Sequence, residues 1–147
     1  FAHQYVDTYD FEPDRRFISP AFKKLLTLNI AHLVISNFSK GETPLAVSKI
    51  SHVLEIPIRL VQKILDELVD AGIFSNTDIK ENRESAYQPG RDINTITIKS
   101  IIDALDQKGV DNIPVAQTTE LKSLSEMLQS FSNELKKSPA NRLLKDI

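Results

Sequence analysis

A proline separates two short runs of apolar residues at helical spacing, and that break constrains the fold more than any other feature of the chain. Residues 43–72 read TPLAVSKISHVLEIPIRLVQKILDELVDAG. Thr43 is expected to cap a helix that opens at Pro44. A threonine oxygen accepts an orphan N–H there, and proline has no donor to waste. Val47, Ile50 and Leu54 follow at helical spacing. Pro57 then disfavours the α conformation at Ile56, so a second helix begins at the proline. In it Val61, Ile64, Leu65 and Leu68 make one apolar stripe, and Gly72 supplies a left-handed stop. Two helices joined by a short turn form a helix-turn-helix.

The residues that follow predict a β-hairpin. Ile73 to Asn76 form the outgoing strand, the tip over 77–85 is polar, Ala86-Tyr87-Gln88 returns, and Pro89-Gly90 closes the unit. The expected fold is therefore mostly α with a small β-hairpin wing: a winged helix-turn-helix with extra N- and C-terminal helices. The helix-turn-helix occupies 43–72 and the wing 73–89, inside a domain over 19–137. An arm over 1–18 precedes it and a tail over 138–147 follows.

Ser19-Pro20 starts a helix running to about Phe38. Its apolar residues, among them Phe22, Leu26, Ile30, Val34 and Phe38, do not keep to one stripe, which predicts burial on most sides. Beyond the wing, Thr97 caps a helix with Ile98, Ile101, Ile102 and Leu105 as its buried face and Gly109 as its stop. After a loop over 110–117, a last helix starts at Thr118 or Thr119. Its Leu121, Leu124, Leu128, Phe131 and Leu135 are spaced 3, 4, 3, 4, a heptad seam too short for an independent coiled coil. The seam is expected to pack on the helix at 20–38, in the same chain or in a second copy. The tail NRLLKDI reads as frayed, with Leu143 and Leu144 able to dock. The expected core is Leu26, Ile50, Leu54, Val61, Leu65, Leu68 and Ile101.

The arm holds Phe1, Tyr5, Tyr9, Phe11 and Phe17. With Phe22 these are six of the ten aromatic residues in the chain. Asp7, Asp10, Glu12 and Asp14 are interleaved with them. The arm either packs on the body or is an amphipathic exit from a membrane, where aromatic rings favour the interface. The acids oppose the second reading, because anionic lipid repels them. The first residue is Phe rather than Met, so the chain is expected to be a piece of something longer. It contains no run of the roughly 18 apolar residues that span a bilayer.

Composition removes several function classes. The absence of cysteine excludes disulfides, thiolate chemistry and cysteine-ligated metals. The sequence has no P-loop, GxGxxG, GxSxG or HExxH, and its acids are scattered over helix faces rather than clustered for a metal. His3, His32 and His52 offer no ligand spacing. No catalytic residue, metal or cofactor is expected.

Nucleic-acid binding is a matter of charge, since phosphate neutralisation supplies most of the affinity. The whole chain carries −2. Over 43–92, six basic residues face eight acidic ones, again a balance of −2. Arg59, Gln62 and Lys63 stand at the front of the second helix, and they are residue types that read base edges. Lys80 and Arg83 lie in the wing tip. Asp66, Glu67 and Asp70 sit at the rear, where they repel phosphate. This balance predicts weak DNA binding without sequence preference, and it favours a protein-interaction or dimerisation role over a DNA-reading one.

Two resemblances bear on these readings. The helix-turn-helix, then DAGIF, a short wing and YQPGRDINTITIKSIIDAL, resembles winged-helix regulators that include iron–sulfur and redox sensors. The cysteines of those sensors are missing, so cluster sensing does not carry over. Across the whole chain, FAHQYVDTYDFEPD, ISPAFKKLLTLNIAHLVISNF, LEIPIRLVQKIL and YQPGRDINTITI resemble the C-terminal extension of YihY/BrkB-type membrane proteins, a family with the legacy label ribonuclease BN. That resemblance implies a domain on the cytoplasmic face of the inner membrane, attached through a preceding membrane region. The ribonuclease label gains nothing from these residues.

Overall fold

The computed structural model describes residues 18–78 and 84–147. The aromatic arm and the wing-tip residues Lys80 and Arg83 lie outside them. Helix α1 (Pro20–Ser39) starts as the sequence predicts. The Ser19 hydroxyl accepts the Phe22 N–H at 3.1 Å, and Pro20 occupies the first turn. It buries Thr27, Ile30, Ala31, Val34 and Ile35. Phe22, Leu25 and Phe38 remain exposed, so α1 is buried on one side rather than on most.

The predicted helix start at Thr43-Pro44 is corrected. Leu45–Ala46 form a short strand, β1, and helix α2 (Val47–Leu54) begins only after it, with no side-chain cap. Leu45 and Ala46 pair with Tyr87 and Ala86 of the returning wing strand. A partner strand distant in sequence thus claims the residues that local cap chemistry assigns to a helix. The fixed φ of Pro44 suits an extended entry equally well.

The turn forms without glycine. Glu55 ends α2 in the left-handed conformation, with φ 55°. The buried Ser51 hydroxyl donates to the Ile56 carbonyl at 2.6 Å and pins the turn from within. Helix α3 (Ile58–Asp70) follows Pro57 and buries Leu60, Val61, Ile64, Leu65 and Leu68. Gly72 (φ 77°) stops it as expected. The Arg91 guanidinium donates to the Ala71 and Gly72 carbonyls, covering acceptors the helix end leaves open.

Strands β2 (Phe74–Asp78) and β3 (Ser85–Pro89) make the wing, and the antiparallel sheet runs β1-β3-β2. At its end the Gly90 N–H donates to the Ile73 carbonyl at 2.8 Å. A Cβ on Gly90 would lie 2.9 Å from the Phe74 carbonyl carbon, so backbone meets backbone there.

Helix α4 (Ile98–Asp106) is closed by a reciprocal cap. The Ser100 N–H donates to the Thr97 hydroxyl oxygen at 3.1 Å, and the Thr97 N–H to that of Ser100 at 2.8 Å. Of its expected face Ile101 is buried, whereas Ile98, Ile102 and Leu105 are half-buried; the helix ends three residues before Gly109. Lys99 is buried with them, its ammonium on Asp103 at 2.5 Å. Leu26 and Leu54 pack at the edge of the core rather than inside it.

Helix α5 (Thr119–Lys137) is capped by the Thr118 hydroxyl on the Leu121 N–H and buries none of its residues. Packing of its seam on α1 of the same chain is therefore not found. The expectation of a frayed tail is corrected as well. Leu144 is 1% exposed, and its N–H donates to the Ile96 carbonyl at 3.0 Å. The Ile98 N–H reaches the Arg142 carbonyl and the Lys99 N–H the Asn141 side chain, so the tail straps the entry of α4.

Candidate nucleic-acid interface

The buried stripe of α3 turns the opposite face of that helix outward, beside the wing. Arg59 and Lys63 are exposed on it. Gln62 stands between them and is half-buried. Its amide nitrogen donates to Asp66 Oδ1 at 2.9 Å and to the Tyr87 hydroxyl at 3.0 Å. Both of its donors are therefore engaged, and its carbonyl oxygen remains to accept. Beside the wing the Ser48 hydroxyl donates to Glu84 Oε2 at 2.9 Å, joining the start of α2 to the residue before β3.

The rear of α3 differs from the sequence expectation. Glu67 is turned toward α1, where Lys23 Nζ lies 2.9 Å from each of its carboxylate oxygens. Lys108, beyond α4, stands 3.7 Å from Asp70 Oδ2. Asp66 accepts the Gln62 amide. Two of the three rear acids thus meet lysines from outside 43–92, which a count over that window leaves out. Opposite charges this close offset one another's field at the surface. No local signal marks Lys23 or Lys108 for this task, because each is brought in by tertiary packing alone.

The second set of predicted residues lies apart from this face. Leu121, Leu124, Leu128, Phe131 and Leu135 are all exposed, Leu128 by 67% and Phe131 by 66%, and Met127 joins them. On α1, an apolar groove of about 440 Å³ is lined by Leu25, Leu26, Leu28 and His32 together with Ile98, Leu144 and Ile147. His52 is exposed, and the His32 ring meets the Ile147 carbonyl at 3.2 Å. Among the described residues no group of three acids or histidines is placed to hold a metal. No helix among them is long and apolar enough to cross a membrane.

No protein-family model matches the chain, and no curated protein matches it. Solved structures do. CymR (YrzC), the global cysteine regulator of B. subtilis, is 18% identical with a TM-score of 0.56, covering 87% of this chain and 93% of that one. A putative transcriptional regulator from Listeria innocua is also 18% identical, with a TM-score of 0.56 and coverage of 84% and 81%. IscR of T. potens is 14% identical, with a TM-score of 0.54 and coverage of 80% and 78%. Likeness at these identities establishes the fold: among the described residues, five α-helices and a small three-stranded antiparallel sheet, in the winged-helix arrangement of these regulators. The similarity to the YihY/BrkB extension rests on the residues quoted for it.

Proposed function

We propose that the chain is a DNA-binding winged-helix module of the transcriptional-regulator kind, in preference to the protein-interaction role that sequence charge favours. One observation carries this reading: α3 offers Arg59 and Lys63 outward beside the wing, while Glu67 and Asp70, nearer the helix C-terminus, meet Lys23 and Lys108. In helix-turn-helix proteins the second helix enters the major groove, and the first crosses the backbone. Arginine and lysine at the front of that helix suit guanine edges or phosphate. The similarity to regulators such as CymR supports the same reading.

Selection from a random duplex library, followed by titration at two salt concentrations, tests it. The expected result is one enriched motif, bound more tightly than the roughly 10⁻⁴–10⁻⁶ M of non-specific binding. Lys63→Ala should lower affinity and, if Lys63 meets phosphate, reduce the salt slope by about one. Absence of any enriched motif would return the reading to weak, unselective binding.

The exposed seam favours a second element of function, self-association. We propose a symmetric homodimer in which the α5 seam of each copy covers that of the other and reaches the α1 groove. A two-fold pairing lets one patch meet itself and closes the assembly. It should bury about 1,200–2,000 Å² in total, an ordinary specific interface. Leu128→Glu should separate the copies, because the seam would have to desolvate an unpaired carboxylate. Sedimentation at tens of micromolar decides it, and a clean monomer of 16.6 kDa rules the dimer out. Attachment to the cytoplasmic face of a membrane is a separate proposal, supported by the YihY/BrkB resemblance and tested by fractionating cells that express the full-length protein.

A further inference from the structure

A cleft at the C-terminal end of α3 shares Lys23, Glu67 and Lys108 with the ion pairs described above and adds groups that neither reading uses. Its volume is about 250 Å³, and it lies between the first turns of α1 and the ends of α3 and α4. This is just below the roughly 300–1,000 Å³ of pockets for drug-sized ligands, so it suits a smaller molecule. Ile102 and Leu105 supply apolar surface, and Pro20 closes one side.

The charged groups at its rim divide into engaged and unengaged. Lys23 is held by Glu67, and Lys108 faces Asp70. Lys24 and Asp106 also line the cleft, are both exposed, and make no hydrogen bond or ion pair with the described residues. On the floor, the buried Thr27 hydroxyl donates to the Lys23 carbonyl at 2.8 Å, so its oxygen is left as an acceptor. The unengaged set is thus one ammonium, one carboxylate and one hydroxyl acceptor around an aliphatic patch.

We infer that this cleft binds a small aliphatic α-amino acid. Its carboxylate meets Lys24, its ammonium meets Asp106 and the Thr27 oxygen, and its side chain lies on Ile102 and Leu105. Each charged end finds a charge-assisted partner, the stronger kind of hydrogen bond. A purely anionic ligand would leave its apolar end beside Asp106, and a purely cationic one would meet Lys24. The inference does not depend on DNA binding, since occupancy is read on the protein alone.

Amide NMR titration of the full chain with leucine tests it, with 4-methylvalerate and isoamylamine as the two half-ligands. The expected result is saturable shifts confined to the cleft, with a Kd of about 1 mM or tighter. Each half-ligand should bind at least about tenfold more weakly, as should leucine to Lys24→Asp or Asp106→Lys alone, a loss of about 1.4 kcal/mol. The double exchange Lys24→Asp with Asp106→Lys should recover part of the binding lost in either single variant, because it reverses the ligand's charged ends while the Thr27 acceptor stays in place. Absence of saturable shifts, shifts centred elsewhere, or equal binding of either half-ligand would overturn the assignment. So would binding indifferent to the single variants.

Discussion

The Gln62 amide nitrogen, on the outward-facing helix, donates to the Tyr87 hydroxyl on the returning wing strand at 3.0 Å. Helix and wing are therefore joined by a side-chain bond as well as by backbone, and Tyr87 is itself buried. Tyr87→Phe keeps the ring in place and removes the acceptor. It should cost about 0.5–1.5 kcal/mol, the usual net worth of one hydrogen bond. Urea unfolding of the two proteins measures the difference, and an unchanged midpoint would mean that the bond contributes nothing.

Two leucines far apart in sequence should be equally costly to truncate. Leu65 is fully buried at the centre of the α3 stripe, and Leu144 is 1% exposed in the tail. Leu65→Ala and Leu144→Ala should each lose about 2–5 kcal/mol, from lost transfer energy and the cavity left behind. Loss at Leu65 with less than half a kcal/mol at Leu144 would mean that the tail is not part of the cooperative core.

Glu55 should tolerate, and gain from, the smallest side chain. Its φ of 55° lies where an ordinary residue is strained by about 1–2 kcal/mol. Glycine removes that strain but adds backbone freedom to the unfolded chain, so Glu55→Gly should stabilise by a net of about 0.5–1 kcal/mol. A lower thermal midpoint for the variant would show that the contacts of the Glu55 carboxylate outweigh the strain.

Gly90 should not tolerate even one added carbon. The atoms a Cβ would meet, at 2.9 and 3.0 Å, are the Phe74 carbonyl carbon and oxygen, and backbone in a paired strand cannot swing aside. Gly90→Ala should therefore cost about 1–3 kcal/mol, the range for overpacking. Calorimetry of the variant checks this, and an unshifted melting temperature would refute it.

What was legible in the chain follows from how local each cause is. Ser19-Pro20, Thr97 and Thr118 cap helices through atoms within three residues, and each start appears where the sequence puts it. The stripe Val61, Ile64, Leu65, Leu68 is set by helical spacing alone, and it is buried. The misses had distant causes. Leu45–Ala46 are a strand because of Tyr87 and Ala86, some forty residues on. The tail docks because Ile96 offers a carbonyl and the core a place for Leu144, and a run as short as NRLLKDI shows no periodicity to announce it. At the candidate interface the residue types at Arg59, Gln62 and Lys63 were legible. The engagement of Gln62 and the lysines at the C-terminal end of α3 were not, since both depend on side chains the fold brings together.

The two lysines at the C-terminal end of α3 mean that the winged helix is not a portable cassette. Lys23 belongs to the helix before the motif and Lys108 to the loop after α4, yet each faces a carboxylate of α3. Grafting residues 43–92 onto another scaffold would carry Glu67 and Asp70 along and leave both counter-charges behind. The transplant would keep the two helices and their turn, and it would present a more acidic surface than the parent. Swapping such motifs between proteins therefore moves a geometry without moving its electrostatics, and a chimera that fails to bind would say nothing against the parent's Arg59 and Lys63.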